Sequence, residues 1–162
     1  GFTRGSRVVA ILLRRNFPLT VTASHEDPLG RFVGIEGRYE ARQYTFVSAY
    51  VPHDCPQATF KVIQELLFAL PSGITLVGGD FNAVPNPTLD ASGPPPTSQN
   101  TCTSHLSSWA ESLGLCEIWR AWHSTFRANT HTSASHGTHF RMDQLWLPAT
   151  DVPLLRRIEI LS

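Results

Sequence analysis

The segment ITLVGGDFN, residues 74–82, constrains the fold of this chain more than any other. Its opening, ITLVGG, is mostly apolar, as expected of a short strand that is buried on both faces. The two glycines, Gly78 and Gly79, allow the backbone to turn sharply where the strand ends. Asp80 and Asn82 follow, and an extended backbone would point both side chains to the same side. We therefore expect a strand that delivers a carboxylate and an amide to a cleft at a sheet edge.

The rest of the chain combines predicted strands with two amphipathic helices. The first helix covers residues 56–71, and the second covers roughly residues 104–113 and is capped by Gly114. Their apolar faces consist of Phe60, Ile63, Leu66, Leu67 and Leu70 in the first helix and Leu106, Trp109 and Leu113 in the second.

Strands are predicted before, between and after these helices. Residues 31–37 and 42–52 are rich in β-branched and aromatic residues and are expected to form an antiparallel pair that turns near Gly37 and Arg38. The other predicted stretches are strands at 8–13, 19–23, 74–79 and 154–162, a strand or turn at 115–122, and a hairpin over 129–148 that turns at His136 and Gly137. With no internal repeat or domain boundary, this order predicts one α+β or layered α/β domain over residues 1–162.

Composition excludes several classes of protein. The formal net charge is +0, so no overall basic field indicates nucleic-acid binding. The three cysteines, Cys55, Cys102 and Cys116, are odd in number and lack CxxC spacing, which argues against a disulfide framework or a zinc knuckle. The sequence shows neither a signal peptide nor an apolar run long enough to span a bilayer. We expect a nuclear or cytoplasmic protein that is neither secreted nor bound to a membrane.

The GDFN stretch permits chemistry but does not require it. A carboxylate at Asp80 could take a proton from water or hold a divalent cation, and the amide of Asn82 could orient a water molecule or a phosphate oxygen. The alternative is a simple turn, because aspartate and asparagine both favour turns.

Three longer stretches of the sequence resemble a known family, and this resemblance bears on the choice between a chemical role and a simple turn. GDFN after a hydrophobic strand, with SAYVP upstream and FRMDQLWL downstream, resembles the endonuclease/exonuclease/phosphatase superfamily. LVGGDFNAVPNPTLDASG, SLGLCEIWRAWH and HGTHFRMDQLWL are similar to the apurinic-type endonuclease domain of LINE (non-LTR) retrotransposons. The resemblance covers nearly the whole chain. It implies an α+β fold, namely a partial four-layer α/β-β/α sandwich with two packed mixed β-sheets flanked by helices and truncated at both ends.

The resemblance implies roles for four catalytic residues. Tyr50 would donate a hydrogen bond to the phosphate, although a buried strand tyrosine is the alternative. Asp80 would activate the attacking water or protonate the leaving oxygen, and Asn82 would orient Asp80 and the phosphate. Asp80 and Asn82 would also lie at a Mg²⁺ (or Mn²⁺) ion. Asp143 would fix and polarise a catalytic histidine, although it could instead pair with Arg141 or cap a turn.

The resemblance also favours three nucleic-acid contacts, namely Arg120, Arg141 and His139. For Arg120 the alternative is structural ion pairing. His131, His136 and His139 with Asp143 could be imagined as a zinc site, but a solvated polar hairpin is the simpler interpretation. Stacking of Trp122 on a base has no support from the sequence.

Some motifs of the resemblance have no match in the sequence. Its first-strand asparagine, its metal-binding glutamate and the histidine of its SDH motif are absent, Glu26 lies in a predicted loop, and Phe140 stands where a serine is usual. We therefore expect an internal portion of the domain that is inactive as an isolated chain.

The function that this resemblance implies is Mg²⁺-dependent hydrolysis of DNA phosphodiester bonds, nicking target DNA in retrotransposition. We expect a monomer that could be linked to a reverse transcriptase in a longer protein. Two alternatives stay open. One is a non-catalytic remnant that binds nucleic acid or a partner. The other is a different enzyme of the superfamily, such as a lipid or inositol phosphatase or an RNA deadenylase.

Overall fold

The computed structural model describes residues 9–54, 56–93, 97–133 and 137–160. Within them the strands alternate with short connections and with two longer helices. The elements are β1 (Thr20–Glu26), β2 (Phe32–Tyr39), β3 (Arg42–Tyr50), α1 (Pro56–Ala69), β4 (Ile74–Asp80), α2 (Thr97–Ser112), β5 (Leu115–Glu117), α3 (Ile118–Trp122), β6 (His131–Ser133), β7 (Thr138–Phe140), β8 (Asp143–Pro148) and a 3₁₀ helix (Val152–Leu154).

Six of the strands form one mixed sheet in the order β1-β2-β3-β4-β8-β5. β1, β2 and β3 are antiparallel neighbours, whereas β3 and β4 run parallel and are connected through α1. Parallel neighbours need a crossover of this kind, and it brings the carboxyl ends of β3 and β4 to the same edge of the sheet. β8 then pairs antiparallel with β4, so its amino end lies beside the carboxyl end of β4.

The core lies between this sheet and helices α1 and α2. Along β3 the residues Thr45, Val47 and Ala49 are buried and alternate with half-buried ones, as expected of a strand with one face against helices. Aromatic rings fill the space between the layers, with the rings of Phe81 and Trp109 5.9 Å apart and those of Trp109 and Trp146 6.1 Å apart. The residue that follows Asp80, Phe81, therefore lies in this aromatic part of the core.

The α+β class is confirmed, and so are several of the predicted elements. α1 and the antiparallel pair of β2 and β3 lie where the sequence places them, although the hairpin turns at Glu40 and Ala41, later than expected. α2 begins earlier than predicted, and Gly114, with φ of 62°, follows its last turn. In the described residues the second sheet is small, since it contains only β6 and β7.

Three expectations about strands need correction. In the part of the predicted strand 8–13 that the structure describes, residues 9–13, there is no strand, and Leu12 is 94% exposed. The edge strand β1 has β2 as its neighbour, and residues 9–13 have no strand partner. Residues 154–160 are also not a strand, because they follow the 3₁₀ helix and continue without regular structure. The segment 115–122 is a strand only as far as Glu117 and then becomes α3.

The predicted hairpin over 129–148 divides between the two sheets. β6 and β7 pair with each other, whereas β8 belongs to the large sheet, and Arg141 and Met142 connect the two. The predicted turn at His136 lies outside the described residues. Cys102 and Cys116 are free thiols, and Cys55 lies outside the described residues. No helix in the described ranges is both long enough and apolar enough to cross a membrane.

Candidate active site

Tyr50, Asp80 and Asp143 lie in one row across three neighbouring strands. Tyr50 of β3 is paired with Asp80 of β4, and Asp80 is paired with Asp143 of β8. Neighbouring strands are about 4.8 Å apart, and paired residues project from the same face. Three of the four predicted catalytic residues are therefore brought within reach of one phosphate group.

The row projects from the sheet face opposite the two long helices. The next row, formed by Ala49, Gly79 and Gln144, faces the helices, and the side chains of Ala49 and Gln144 are buried there. Because side chains alternate along each strand, Tyr50, Asp80 and Asp143 project to the other side. Asp143 is exposed and Tyr50 and Asp80 are half-buried, so a substrate can reach them.

Asp80 is held in an environment that disfavours its negative charge. Burial raises its pKa above the ordinary value, and the charge of Asp143 raises it further. A hydrogen bond from the backbone N–H of Asn82 to Oδ1 of Asp80, at 2.9 Å, acts in the opposite direction, as do the charges of His53 and His131. Carboxylates with a raised pKa are common in active sites, where they exchange protons with substrates.

Asn82 ties the ends of the two parallel strands together. It is 5% exposed, and its backbone is in the left-handed region with φ of 47°. Its side-chain Nδ2 donates to the carbonyl oxygen of Val51 at 2.9 Å, and the N–H of Val51 donates to the carbonyl oxygen of Asp80 at 2.8 Å. The backbone N–H of Asn82, and not its side-chain amide, is bonded to Asp80. Because Nδ2 is bonded to Val51, a contact with a metal or a phosphate would fall to the side-chain oxygen of Asn82.

The backbone around Asp143 is anchored by Thr130. Oγ1 of Thr130 accepts hydrogen bonds from the N–H groups of Met142 and Asp143, both at 3.1 Å. The N–H of Phe81 donates to the carbonyl oxygen of Met142 at 3.0 Å, which connects this segment to the residue that follows Asp80. Thr130 is not among the predicted site residues, because a single threonine before a polar strand has no sequence pattern that indicates a function.

The two predicted DNA-contacting arginines are used inside the protein. Arg141 is 1% exposed and donates to Asp90 at 2.7 Å and to Glu117 at 2.9 Å. Arg120 donates to both carboxylate oxygens of Asp90 and to the carbonyl oxygens of His123 and Phe126. Both guanidiniums therefore take part in ion pairs within the protein, and contact of either one with DNA stays a prediction.

Burial opposes ionisation of Asp90, but the hydrogen bonds from Arg141 and Arg120 outweigh it and hold the pKa of Asp90 below its ordinary value. The same ion pairs raise the pKa of Arg141 against the effect of burial. Asp90 and Arg141 are therefore both charged at neutral pH.

The two described histidines of the β6–β7 hairpin, His131 and His139, belong to no metal cluster. Nδ1 of His139 lies 2.9 Å from Oγ1 of Thr132, and His131 is exposed. His136 lies outside the described residues. Among the residues that the structure describes, no group of three or more histidine, cysteine, aspartate or glutamate side chains could hold a metal ion. His139 stays a predicted DNA contact, and the zinc interpretation gains no support.

Asp80 nevertheless suits magnesium as a ligand. Mg²⁺ is usually bound by one or two protein carboxylates, with water and substrate phosphate at the remaining positions. Asp80 provides one carboxylate on the open face of the sheet, and the side-chain oxygen of Asn82 is the second predicted protein ligand. A cavity of about 290 Å³ lies beside Asp143; among the residues that line it are Trp119, Thr130, Leu145 and Ile158.

The raised pKa of Asp80 predicts a stability gain for Asp80→Asn. Asparagine removes the buried charge but keeps an oxygen for the N–H of Asn82. At pH 7 without divalent cations, the variant should melt at a measurably higher temperature than the wild type. The difference should close as the pH falls through the raised pKa, because protonated Asp80 no longer carries the charge that burial penalises. Thermal melts from pH 3 to 8 in EDTA test this, and a lower melting temperature at pH 7 would contradict it.

Comparison with known proteins places this geometry in a recognised fold. No family model matches the chain. The Xenopus laevis APE2 catalytic domain superposes with a TM-score of 0.65 at 16% identity, over 84% of this chain and 60% of that one. The AP endonuclease LMAP from Leishmania major superposes with a TM-score of 0.62 at 13% identity, over 78% of this chain and 48% of that one. The endonuclease domain of TRAS1, a telomere-specific non-LTR retrotransposon, superposes with a TM-score of 0.53 at 18% identity, over 84% of this chain and 57% of that one.

The chain thus spans between 48% and 60% of the length of these structures. Identities this low establish architecture and leave activity open. The superpositions agree with the six-stranded mixed sheet and its flanking helices. Together they show that the chain has the fold of the endonuclease/exonuclease/phosphatase superfamily.

Proposed function

We propose that this chain belongs to a divalent-cation-dependent DNA endonuclease domain that hydrolyses phosphodiester bonds, of the kind found in LINE retrotransposons. The observation that carries the proposal is the row of Tyr50, Asp80 and Asp143 on one face of the sheet. A phenol and two carboxylates at this spacing match the needs of phosphate ester hydrolysis, in which a proton must move and negative charge develops on oxygen. The likeness to two AP endonucleases and a retrotransposon endonuclease domain supports the same class.

Each residue of the row would have a distinct task. Asp80, with its raised pKa, would take a proton from the attacking water or give one to the leaving oxygen. The phenol of Tyr50 would donate a hydrogen bond to a phosphate oxygen. Asp143 would orient a histidine supplied by the complete domain. A bound divalent cation would neutralise charge on the phosphate oxygens, with Asp80 and the side-chain oxygen of Asn82 as its protein ligands.

The retrotransposon assignment has narrower support. It rests on the sequence stretches around Asp80, Trp119 and Asp143 and on the likeness to TRAS1. It would imply a nuclear site of action, a monomeric domain and a linked reverse transcriptase.

The test uses two forms of the protein. The first is the 162-residue chain, whose sequence has no match for the metal-binding glutamate or the catalytic histidine. The second, the extended chain, is residues 1–162 flanked by a preceding strand with that glutamate and a following Asp-His pair, supplied by the corresponding segments of the TRAS1 endonuclease domain. We expect the extended chain to convert supercoiled plasmid to the open-circular form with Mg²⁺ and not with EDTA. The 162-residue chain should not exceed background.

Two results would overturn parts of the proposal. Nicking by the 162-residue chain that is lost in Asp80→Ala would show that the missing groups are not needed. An extended chain that leaves DNA intact but hydrolyses inositol phosphates would favour the phosphatase alternative.

A further inference from the structure

Four buried charged side chains form a network directly behind the candidate active site. They are Asp90, Glu117, Arg120 and Arg141, with side-chain exposures of 0%, 5%, 13% and 1%. Nε of Arg141 donates to Oδ1 of Asp90 at 2.7 Å and its Nη2 to Oδ2 at 3.2 Å, which makes the pair bidentate. Nη2 of Arg141 also donates to Glu117 at 2.9 Å. The formal charges of the two carboxylates and the two guanidiniums cancel, so the network has no net formal charge.

The network is continuous with the backbone that carries Asp143. Arg141 and Met142 form the connection between β7 and β8 and lie outside both sheets. The N–H of Arg141 donates to the carbonyl oxygen of Asp90 at 2.9 Å, so Asp90 holds both the backbone and the side chain of Arg141. The following N–H groups, of Met142 and Asp143, donate to Thr130.

Asp90 is itself fixed to the loop that follows the Asp80 strand. The N–H of Asn86 donates to Oδ2 of Asp90 at 2.9 Å, and the N–H of Asp90 donates to the carbonyl oxygen of Asn86 at 2.7 Å. A chain of direct bonds therefore runs from the loop after Asp80, through Asp90 and Arg141, to the residue that begins β8. One end of this chain is therefore at Asp143, and the other is in the loop that follows Asp80.

We propose that Arg141 and Asp90 are positioning residues, which hold Asp143 in register with Asp80. The role of Asp143 as a catalytic group rests on the proposed function, whereas the positioning itself concerns the geometry of the chain. Arg141 is buried in the connection between β7 and β8, and its proposed action is through the backbone at Asp143.

Two physical arguments favour positioning over simple stabilisation. A buried ion pair adds little net stability, because desolvation of both charges offsets most of their attraction. A guanidinium that binds a carboxylate through two parallel N–H groups fixes orientation as well as distance, which an ammonium cannot do. The network therefore restricts the backbone at Arg141 in a way that an apolar contact of equal volume would not.

Arg141→Lys and Arg120→Lys form a matched pair for the test. Both replace a guanidinium that binds Asp90 by an ammonium, but only Arg141 is covalently adjacent to the segment that carries Asp143. In the 162-residue chain, amide hydrogen exchange should rise at least tenfold more at Met142 and Asp143 than at Val77 in the Arg141→Lys variant. In Arg120→Lys the rates at Met142 and Asp143 should change no more than the rate at Val77.

Equal changes at all three amides in Arg141→Lys, or the same local increase in both variants, would overturn the proposal. If Arg141→Lys does not fold, Asp90→Asn is measured in its place, because asparagine keeps one oxygen for Nε of Arg141 while removing the charge. The same local increase is expected and the same outcomes would overturn it.

Nicking by the extended chain separates this proposal from the proposed function. If the wild type nicks DNA, Arg141→Lys should lower kcat by about 10- to 100-fold with little change in KM, whereas Glu65→Ala, at an exposed carboxylate on α1, should keep kcat within about threefold. An unchanged kcat in Arg141→Lys would overturn the positioning role. If the wild-type extended chain has no activity, the proposed function fails, and the exchange rates alone decide whether Arg141 positions Asp143.

Discussion

Asp80→Ala is expected to lower nicking of supercoiled plasmid by the extended chain by at least about 1,000-fold. Asp80 is the centre of the row, since it is paired with Tyr50 on one side and with Asp143 on the other. It is also the proposed proton-transfer group and a proposed ligand of the cation. Removal of a single electrostatic group at a transition state commonly costs 100- to 1,000-fold, and Asp80 would combine two such roles. Initial rates of open-circle formation at saturating Mg²⁺ measure the effect.

Asp143→Ala should also lower the rate of nicking, by about 100-fold. The loss is smaller than for Asp80→Ala because Asp143 would act through a histidine. Glu65→Ala is the matched control. Glu65 is an exposed carboxylate on α1 whose ion pair with Lys61 spans 3.9 Å, and exposed pairs of this kind contribute little. The control should nick as the wild type does. Full activity in Asp80→Ala would remove Asp80 from the site and leave the row without its proposed function.

The individual residues of the row were predictable from the sequence, but their arrangement was not. The buried strand before Asp80 and the strand after Asp143 each give a local signal in apolar content. Which strands pair, and in which register, depends on contacts between residues far apart in the chain, and a shift of one residue would turn Asp143 to the helix face. The resemblance supplied the expectation that Asp80 and Asp143 converge, and the register is consistent with it.

The same limit applies to the ion pairs and to some of the strands. The sequence does not show that Arg141 pairs with Asp90 and Glu117, because both partners are distant from it along the chain. The apolar run at 9–13 has the composition of a strand, but composition cannot supply the neighbouring strand that a sheet requires. Local patterns predicted which segments are apolar, whereas pairing decided which of them became strands.

Gly79→Ala is expected to destabilise the fold by more than about 4 kcal/mol, an exceptional cost for a single methyl group. A Cβ atom at Gly79 would lie 1.8 Å from the carbonyl oxygen of Ala49, and the backbone φ of +146° is one that alanine rarely adopts. The obstructing atom belongs to the backbone of β3, so it cannot move without breaking the pairing of β3 with β4. For a chain of this length such a loss lowers the melting temperature by roughly 10 °C or more. Circular dichroism melts measure it.

Gly78→Ala provides the control, because it adds the same methyl group one residue earlier in the same strand. There the new Cβ would meet Cδ2 of Leu145 at 2.5 Å, the far end of a flexible side chain that is 39% exposed. Leu145 can rotate away, so the melting temperature should fall by less than about 3 °C. Equal effects of the two substitutions would mean that β3 and β4 are not held as closely as described. Since Tyr50 and Asp80 are aligned by that pairing, the catalytic row would then lose its structural basis as well.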